Sequence, residues 1–405
     1  MNLSSYLEDR ELFMSEFRSS KSLSYGFKAR EVLNGHKGCI NTCQFDNPGK
    51  RLLTGCDDGS VWMWEPGRTV KEPAVRTRPH YTNVFGASFL TDDTFVSGSN
   101  DADVCVTKMN NDGTTTTTRF SAHHVSKITA VQPIDSTTFL STSYDGTLRL
   151  FDTRLDYNGK VETKPVLTEK DYQYDSYEFL VSNLNRLNLE PQGAGGGPIQ
   201  KPASDNRTLM SSFPAPLYSI SVHPYDRHII AMGCGDTCIR FVDLRNNSKS
   251  IKFSMREEYN RNVPVTGATY DSTGNRIAAT VRYGVAHIID IQEKTGICLT
   301  NHRSISTDKY INWLGEWVVS GSDDGKVYIY DPTDGKVVGG DCGVERMHEG
   351  NTNIVAVHQQ TLQLATSGVD YFITLWEPTT LTNYHEKEFV MEDDPASRLF
   401  PNFLY

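Results

Sequence analysis

An all-β chain closed into a seven-bladed propeller is the fold this sequence predicts, on three observations. First, one template recurs seven times: a small residue, a four-residue turn with an acid, then alternating apolar residues ending on an aromatic or large aliphatic side chain. The clearest copies are TGCDDGSVWMW (54–64), STSYDGTLRLF (141–151), SGSDDGKVYIY (320–330) and TSGVDYFITLW (366–376), with weaker ones at 97–107, 232–242 and 279–289. Second, the turn markers Asp58, Asp101, Asp145, Asp236, Tyr283, Asp324 and Asp370 stand 41 to 47 residues apart, except for one interval of 91. The short spacing is the length of one four-stranded blade, and the long one is a blade plus an insertion. Third, the copies read as apolar runs of strand length bounded by Gly, Asp and Ser.

The copies in register expose a polar pattern. Counting back 22 residues from the acid lands on His36, His123, His302 and His348, and His80 lies 21 before Asp101. Four residues before the acid stand Thr54, Ser97, Ser141, Ser320 and Thr366; six after it stand Trp64, Phe151, Tyr330 and Trp376. These positions resemble those of the WD-repeat family, a resemblance that implies a WD40 propeller with a buried chain running from aromatic to hydroxyl to imidazole to carboxylate. Such a chain satisfies polar groups that packed sheets could not otherwise hide. The sets His36, Thr54, Asp58, Trp64 and His348, Thr366, Asp370, Trp376 are complete in sequence, and His302, Ser320, Asp324, Tyr330 form a third with tyrosine in place of tryptophan. The fourth copy has Met232 and Val242 and no histidine, and the fifth lacks the acid, so those two blades are expected to rest mainly on apolar packing.

Catalysis and metal binding fit this pattern poorly. Ser/Thr, His and Asp recur at fixed spacing in several repeats, as architecture does and a single active site does not. The histidines fall one per repeat, too far apart to share an ion. No enzyme activity, cofactor or metal is expected. The net charge of −10 argues against broad binding to nucleic-acid phosphates. Eight cysteines without a C-x-x-C pair suit buried thiols in a reducing compartment. The charged leader is unlike a secretory signal, and no apolar run is long enough to span a bilayer. A cytoplasmic or nuclear protein without membrane contact is the expectation.

The ends and the insertion complete the layout. Residues 1–27 are expected to be an N-terminal helical segment, in which Ser5 and Glu8 fit a capping box and Tyr6, Leu7, Phe13, Met14 and Phe17 share a face. That face either packs on the propeller rim or docks to a partner. The propeller spans 28–378, and KAREVLN (28–34) is expected to supply the outer strand of its last blade, removing a free edge. The insertion, about 155–214, includes a predicted helix over 176–188, with Asp175 as cap and Leu180, Leu184 and Leu187 on one side, then a Gly/Pro-rich linker. It is read as a surface loop between blades 3 and 4. A tail covers 379–405.

Two consecutive repeats carry an extra signature, DGTLRLFDTR (145–154) and DTCIRFVDLR (236–245), in which Asp152 and Asp243 precede Arg154 and Arg245 by two residues. Gly67, Thr333 and Thr379 occupy the arginine place in other copies. The signature resembles the WDxR box of substrate receptors of cullin-4 ubiquitin ligases, with Phe151 and Val242 in place of the usual tryptophan. A rigid guanidinium after a strand can pair with a partner's carboxylates or carbonyls, or make a local ion pair of small value; both readings stand.

Longer stretches carry a wider resemblance: HYTNVFGASFL (80–90), LYSISVHPYDRHIIAMGCGDTCIRFVDLR (217–245), VVSGSDDGKVYIYD (318–331) and LATSGVDYFITLWEP (364–378). Their order, with an insertion after the third copy, is similar to the cullin-4-associated factors, close to the eighth-numbered member and its tetratricopeptide-bearing relative. The resemblance implies a noncatalytic substrate receptor that bridges the damaged-DNA-binding adaptor of a cullin-4 RING ligase to a protein substrate. Arg154, Arg245, Asp152, Asp243 and the face of Tyr6, Leu7, Phe13 and Phe17 would meet the adaptor. The opposite propeller face, or the insertion, would hold the substrate. The competing reading is a WD-repeat scaffold of a large cytoplasmic or ciliary assembly with no ligase role.

Overall fold

The computed structural model describes residues 25–69, 71–155, 165–167, 176–178, 215–245, 250–254, 263–293, 295–338, 348 and 350–380. Its strands form seven sheets, each a blade. Blade 7 contains β1 (Tyr25–Asn34), taken up below. Blade 1 holds β2 (Ile40–Phe45), β3 (Leu52–Cys56), β4 (Val61–Trp64) and β5 (Val75–Thr77); blade 2 holds β6 (Val84–Phe89), β7 (Thr94–Ser99), β8 (Val104–Met109) and β9 (Thr115–Phe120). Blade 3 holds β10 (Ile128–Pro133), β11 (Thr138–Ser143), β12 (Leu148–Asp152) and β13 (Pro165–Leu167). Then comes β14 (Ser176–Glu178), followed by blade 4 with β15 (Leu217–Val222), β16 (Ile229–Cys234), β17 (Cys238–Asp243) and β18 (Ser250–Ser254). Blade 5 holds β19 (Val265–Tyr270), β20 (Arg276–Val281), β21 (Ala286–Asp290) and β22 (Thr295–Leu299); blade 6 holds β23 (Ile311–Leu314), β24 (Trp317–Gly321) and β25 (Val327–Tyr330). Blade 7 is completed by β26 (Thr352–His358), β27 (Gln363–Gly368) and β28 (Phe372–Thr380).

The inner strands touch in cyclic order, β2, β6, β10, β15, β19, β23 and β26, with β26 returning to β2. β1 closes the ring by pairing antiparallel with β28 from Tyr25↔Thr380 to Asn34↔Phe372, which brings the expected 28–34 segment into blade 7. Inner strands run from an upper face, made of blade-to-blade connections and the turns that carry the marker acids, to a lower face made of the other turns.

Apolar side chains fill the seams between blades. Phe139 and Phe151 stack at 5.0 Å with nearly parallel planes, and Val96, Phe120, Ile128 and Val131 close around them. Blades 6 and 7 share Trp317, Ile329, Val355, Leu364 and Trp376, with Phe27 from β1. Emptying such a site by a large-to-alanine change costs about 3–5 kcal/mol.

The polar network is complete in blade 7. Trp376 Nε1 donates to Thr366 Oγ1 (2.9 Å), the Thr366 hydroxyl bonds His348 Nε2 (2.9 Å), and His348 Nδ1 donates to Asp370 (2.8 Å). Blades 2 and 3 carry the same chain without its tryptophan: Ser97, His80 and Asp101, then Ser141, His124 and Asp145. His124 therefore takes the place expected for His123, whose ring instead lies edge-on to Phe151 at 5.4 Å. A period of 41 to 47 residues leaves a one-residue slip unresolved when two histidines are adjacent; hydrogen-bond reach decides it.

Three expectations are corrected. In blade 1, His36 Nε2 reaches Thr54 (2.8 Å), which also accepts from Trp64 Nε1 (3.0 Å), but Asp58 does not complete the set. The His36 ring lies flat on Trp62 at 4.1 Å, its Nδ1 has no partner, and Asp58 caps the Ser60 N–H of its own turn. In blade 6, the Tyr330 hydroxyl meets Nδ1 of His302 (3.3 Å), Ser320 donates to the Gly321 carbonyl (3.2 Å), and Asp324 accepts from Tyr328 (2.7 Å). Lys309, fully buried, enters that blade with Asp323 as its partner, so the local charge pairing differs from the repeat. In blade 4 the missing histidine is replaced by Arg240, 2% exposed, whose guanidinium grips the Asp236 carboxylate with both Nη atoms. That blade rests on a buried ion pair as well as on apolar packing.

The insertion also differs from expectation. Residues 165–167 pair with β12 as the fourth strand of blade 3, and residues 176–178, expected to begin a helix, form β14 parallel to β18. An outer strand presents unpaired N–H and C=O groups, and a strand satisfies them where a helix cannot. The rest of the expected helix, the N-terminal helical segment and the tail beyond Thr380 lie outside the described residues.

Two outcomes follow. Thr366→Val leaves Trp376 Nε1 and His348 Nε2 without their partner and is expected to cost about 2–4 kcal/mol, against about 0.5–1.5 kcal/mol for Ser320→Ala, in urea unfolding. Burial holds His36, His287 and His302 well below the ordinary 6.5, at about 4, with His302 adding to the effect at His287 and Lys309 at His302. Depressed histidines bind fewer protons folded than unfolded, so their contribution is full above pH 6.5 and is lost as pH falls toward 4. The urea midpoint is therefore expected to drop between about pH 7 and about pH 5, with measurable proton uptake on unfolding at the lower value.

Candidate functional site

Arg154 and Arg245 follow the third strands of blades 3 and 4 and so stand on the lower face of neighbouring blades. Each sits two residues beyond an aspartate that first accepts the arginine's own backbone N–H, Asp152 at 3.0 Å and Asp243 at 2.9 Å. The tight turn brings the guanidinium back over the same carboxylate. Arg154 donates through Nε (2.9 Å) and Nη2 (2.6 Å) to Asp152, and Arg245 through Nε (2.9 Å) and Nη2 (2.8 Å) to Asp243.

The two turns are thus copies of one another in space. Their Arg side chains remain 67% and 54% exposed, which leaves them available to a partner. In each, one edge of the fork is held and Nη1 keeps its hydrogens free. The Arg154 hydrogen bond holds Asp152 below its ordinary range, and the Arg245 hydrogen bond holds Asp243 down to about 2, so both carboxylates stay charged at any physiological pH. Arg245 has a further partner that the sequence pattern did not indicate: Asp226, at 2.9 Å, which also bonds His228. Asp226 lies in the turn between the first two strands of its blade, 19 residues away, and only sheet pairing brings it near.

The pattern also missed the central channel. A lower cavity of about 880 Å³ is lined by the inner strands and opens among the lower turns, where Asp135 and Arg227 stand. An upper cavity of about 370 Å³ is lined by Asn41, Lys127, Arg282, Asp308 and Asn353. Phe85, Tyr218 and Tyr310 line both, and Tyr310 donates its hydroxyl to the Phe85 carbonyl (3.2 Å) from a blade far round the ring. Tyr6, Leu7, Phe13 and Phe17 lie outside the described residues. Among the described residues, His36, Cys56 and Asp58 are the one His/Cys/acid group close enough to share an ion; His36 is bonded within blade 1 to Thr54, and Asp58 caps its own turn. No described helix is long and apolar enough to cross a membrane.

Comparison with known proteins agrees with the architecture. The family described as "WD domain, G-beta repeat" matches residues 27–65, 114–152 and 296–331. Each match begins at or within the outer strand of one blade and runs through the three inner strands of the next. The chain is thus a WD-repeat propeller. It is 24% identical over 308 residues to "DDB1- and CUL4-associated factor 6" of Homo sapiens, covering 71% of this chain and 31% of that protein. With "DDB1- and CUL4-associated factor 5" of Mus musculus it shares 23% identity over 370 residues, 86% of this chain and 34% of that one. "WD repeat protein iqw1" of Schizosaccharomyces pombe is 29% identical over 174 residues, 40% of this chain and 22% of its own. The chain spans about a third or less of the length of these curated relatives.

Proposed function

We propose that this WD-repeat protein is a noncatalytic substrate receptor, coupling the damaged-DNA-binding adaptor of a cullin-4 RING ubiquitin ligase to a protein substrate. The observation that carries the reading is the duplicated Asp-x-Arg turn, which offers two half-free guanidinium forks on adjacent blades of one face. Relatives named for association with DDB1 and CUL4 support it. Arg154 and Arg245, held by Asp152 and Asp243, would meet acceptors on the adaptor, and the segment bearing Tyr6, Leu7, Phe13 and Phe17 would add an apolar contact. Substrate would occupy the upper face.

The reading places the protein in cytoplasm or nucleus, acting through protein contacts without direct nucleic-acid or membrane binding. Ubiquitin chemistry would reside on other subunits, while this chain supplies affinity and geometry. On branch, the order of segments favours the eighth-numbered cullin-4-associated factor and its tetratricopeptide-bearing relative, beside the similarity by identity to the fifth and sixth.

The test is capture of the adaptor by the full chain. Arg154→Ala with Arg245→Ala and deletion of residues 1–20 is expected to lower adaptor capture by at least about tenfold, while the exposed arginine changes alone shift stability by no more than about 0.5 kcal/mol. Undiminished capture would overturn the reading. Stoichiometric copurification with other assembly components and no adaptor would point to a scaffold.

A further inference from the structure

Among the described residues, the upper cavity contains one cation with no carboxylate partner. Lys127 lies where the chain enters blade 3, and its Nζ sits over the Tyr144 ring at 4.1 Å and the Phe85 ring at 5.1 Å. Aromatic faces hold an ammonium by their quadrupole but do not neutralise it. The other polar groups of the wall are committed. Arg282 donates through Nε and Nη2 to Asp308, the Tyr218 and Tyr144 hydroxyls bond each other at 2.6 Å, Thr129 bonds Thr142 and the Leu217 carbonyl, and Thr307 bonds Asn353. Among the described residues lining this cavity, Lys127 is the one cationic side chain with no carboxylate partner. Lys127, Arg282 and Asp308, the charged residues among its described lining, sum to one net positive charge in a chain whose net charge is −10.

Exposed apolar and aromatic side chains stand on the same face. Val125 (87% exposed), Ile305 (62%), Tyr81 and Tyr371 stand on the upper face, in the connections into blades 3, 6 and 2 and the marker turn of blade 7. Three of them are presented rigidly, because the backbone N–H of Tyr81, Val125 and Ile305 is bonded to Asp101, Asp145 and Asp323. Tyr310, bonded to the Phe85 carbonyl, lines this cavity together with Phe85 and Lys127, and both aromatics also line the lower one. A cavity of about 370 Å³ is at the small end of the range for ligand sites, in keeping with one anchored side chain.

We propose that this basin is the pocket for an aspartate or glutamate side chain of an extended protein segment, with Lys127 as its counter-charge and the exposed apolar residues of the upper face gripping the flanking residues. The inference deepens the reading of the upper face as the substrate side and rests on it. One carboxylate matches the single surplus charge. A phosphate, carrying close to two charges, would need a second free cation, and Arg282 is already taken by Asp308. The carboxylate would complete a charge-assisted hydrogen bond in a site shielded by aromatic rings, where such a bond is stronger than in water.

A random-peptide phage library selected on the immobilised full chain tests this. Wild-type protein is expected to enrich Asp or Glu at one position flanked by apolar residues. A synthetic peptide of the enriched sequence should then lose about tenfold or more in affinity on Lys127→Met or on changing its acid to the amide. Lys127→Glu should abolish that binding. Selection without acid enrichment, equal binding by Lys127→Met, or recovery of no peptide overturns the proposal. Tighter binding by the phosphoserine version of the peptide overturns the carboxylate assignment. Because Lys127 is on the face opposite the arginine pair, Lys127→Met is expected to retain adaptor capture. A failed selection with intact capture sinks this inference alone, whereas capture undiminished by the arginine changes combined with deletion of residues 1–20 sinks the ligase reading, whatever the peptide selection returns.

Discussion

A ring of sheets is stable only if its last gap is closed, and here the closure is made by backbone pairing between the two ends of the repeat array. β1 zips along β28 over its whole length, with one irregularity at Ala29/Glu31, and Phe27 enters the seam shared by blades 6 and 7. Every other feature depends on that pairing. It makes β26 a neighbour of β2 and brings Tyr310 within reach of Phe85, 225 residues away in sequence. Without it the channel would lack the Tyr310–Phe85 link and the upper residues a common face. Pairing of distant segments carries a loop-closure entropy that local contacts do not, which is why this step is the demanding one in forming the ring.

Within the closed ring, the repeat is enforced by shape and only partly by polar chemistry. Blade 7 uses the full tryptophan, threonine, histidine and aspartate chain; blades 2 and 3 dispense with the tryptophan; blade 4 substitutes an arginine pair; and blade 6 brings in a buried lysine. All of these solve one problem, the satisfaction of buried polar groups between packed sheets. The solutions are interchangeable because the apolar seams already set blade spacing. A consequence is the turn after each second strand. Ala102 and Thr237 adopt the positive φ that Gly59 and Gly146 supply at the matching position elsewhere, showing that the turn geometry is imposed by the blade even where glycine is missing.

Much of this was legible in the sequence, for reasons that mark where legibility stops. Strand positions, the turn acids and the closing strand follow from periodicity, because each depends on residues near it in the chain. The choice of His124 over His123 needed distances. The role of Arg240 was hidden because an arginine in an apolar strand has no signature until its aspartate, four residues before it, is seen to face it. The insertion was misread at residues 176–178, where local spacing favoured a helix and the open edge of β18 imposed a strand. At the candidate sites, the Asp-x-Arg turn was visible because it is local. Asp226 beside Arg245, and Lys127 between Phe85 and Tyr144, were not, since neither grouping exists until the sheets pair and the ring closes.

The direction of β1 also decides how the molecule can be tethered. Tyr25 pairs with Thr380 at the lower end of β28, so the polypeptide enters the described ring and leaves it on the face that carries Arg154 and Arg245. The points of attachment at Tyr25 and Thr380 therefore lie on that side. Fixed to a surface at Tyr25 or Thr380, the propeller would stand with its arginine turns toward the support and the Lys127 basin toward the solvent. A partner seeking the arginines would then compete with the support for access, and one seeking the basin would not.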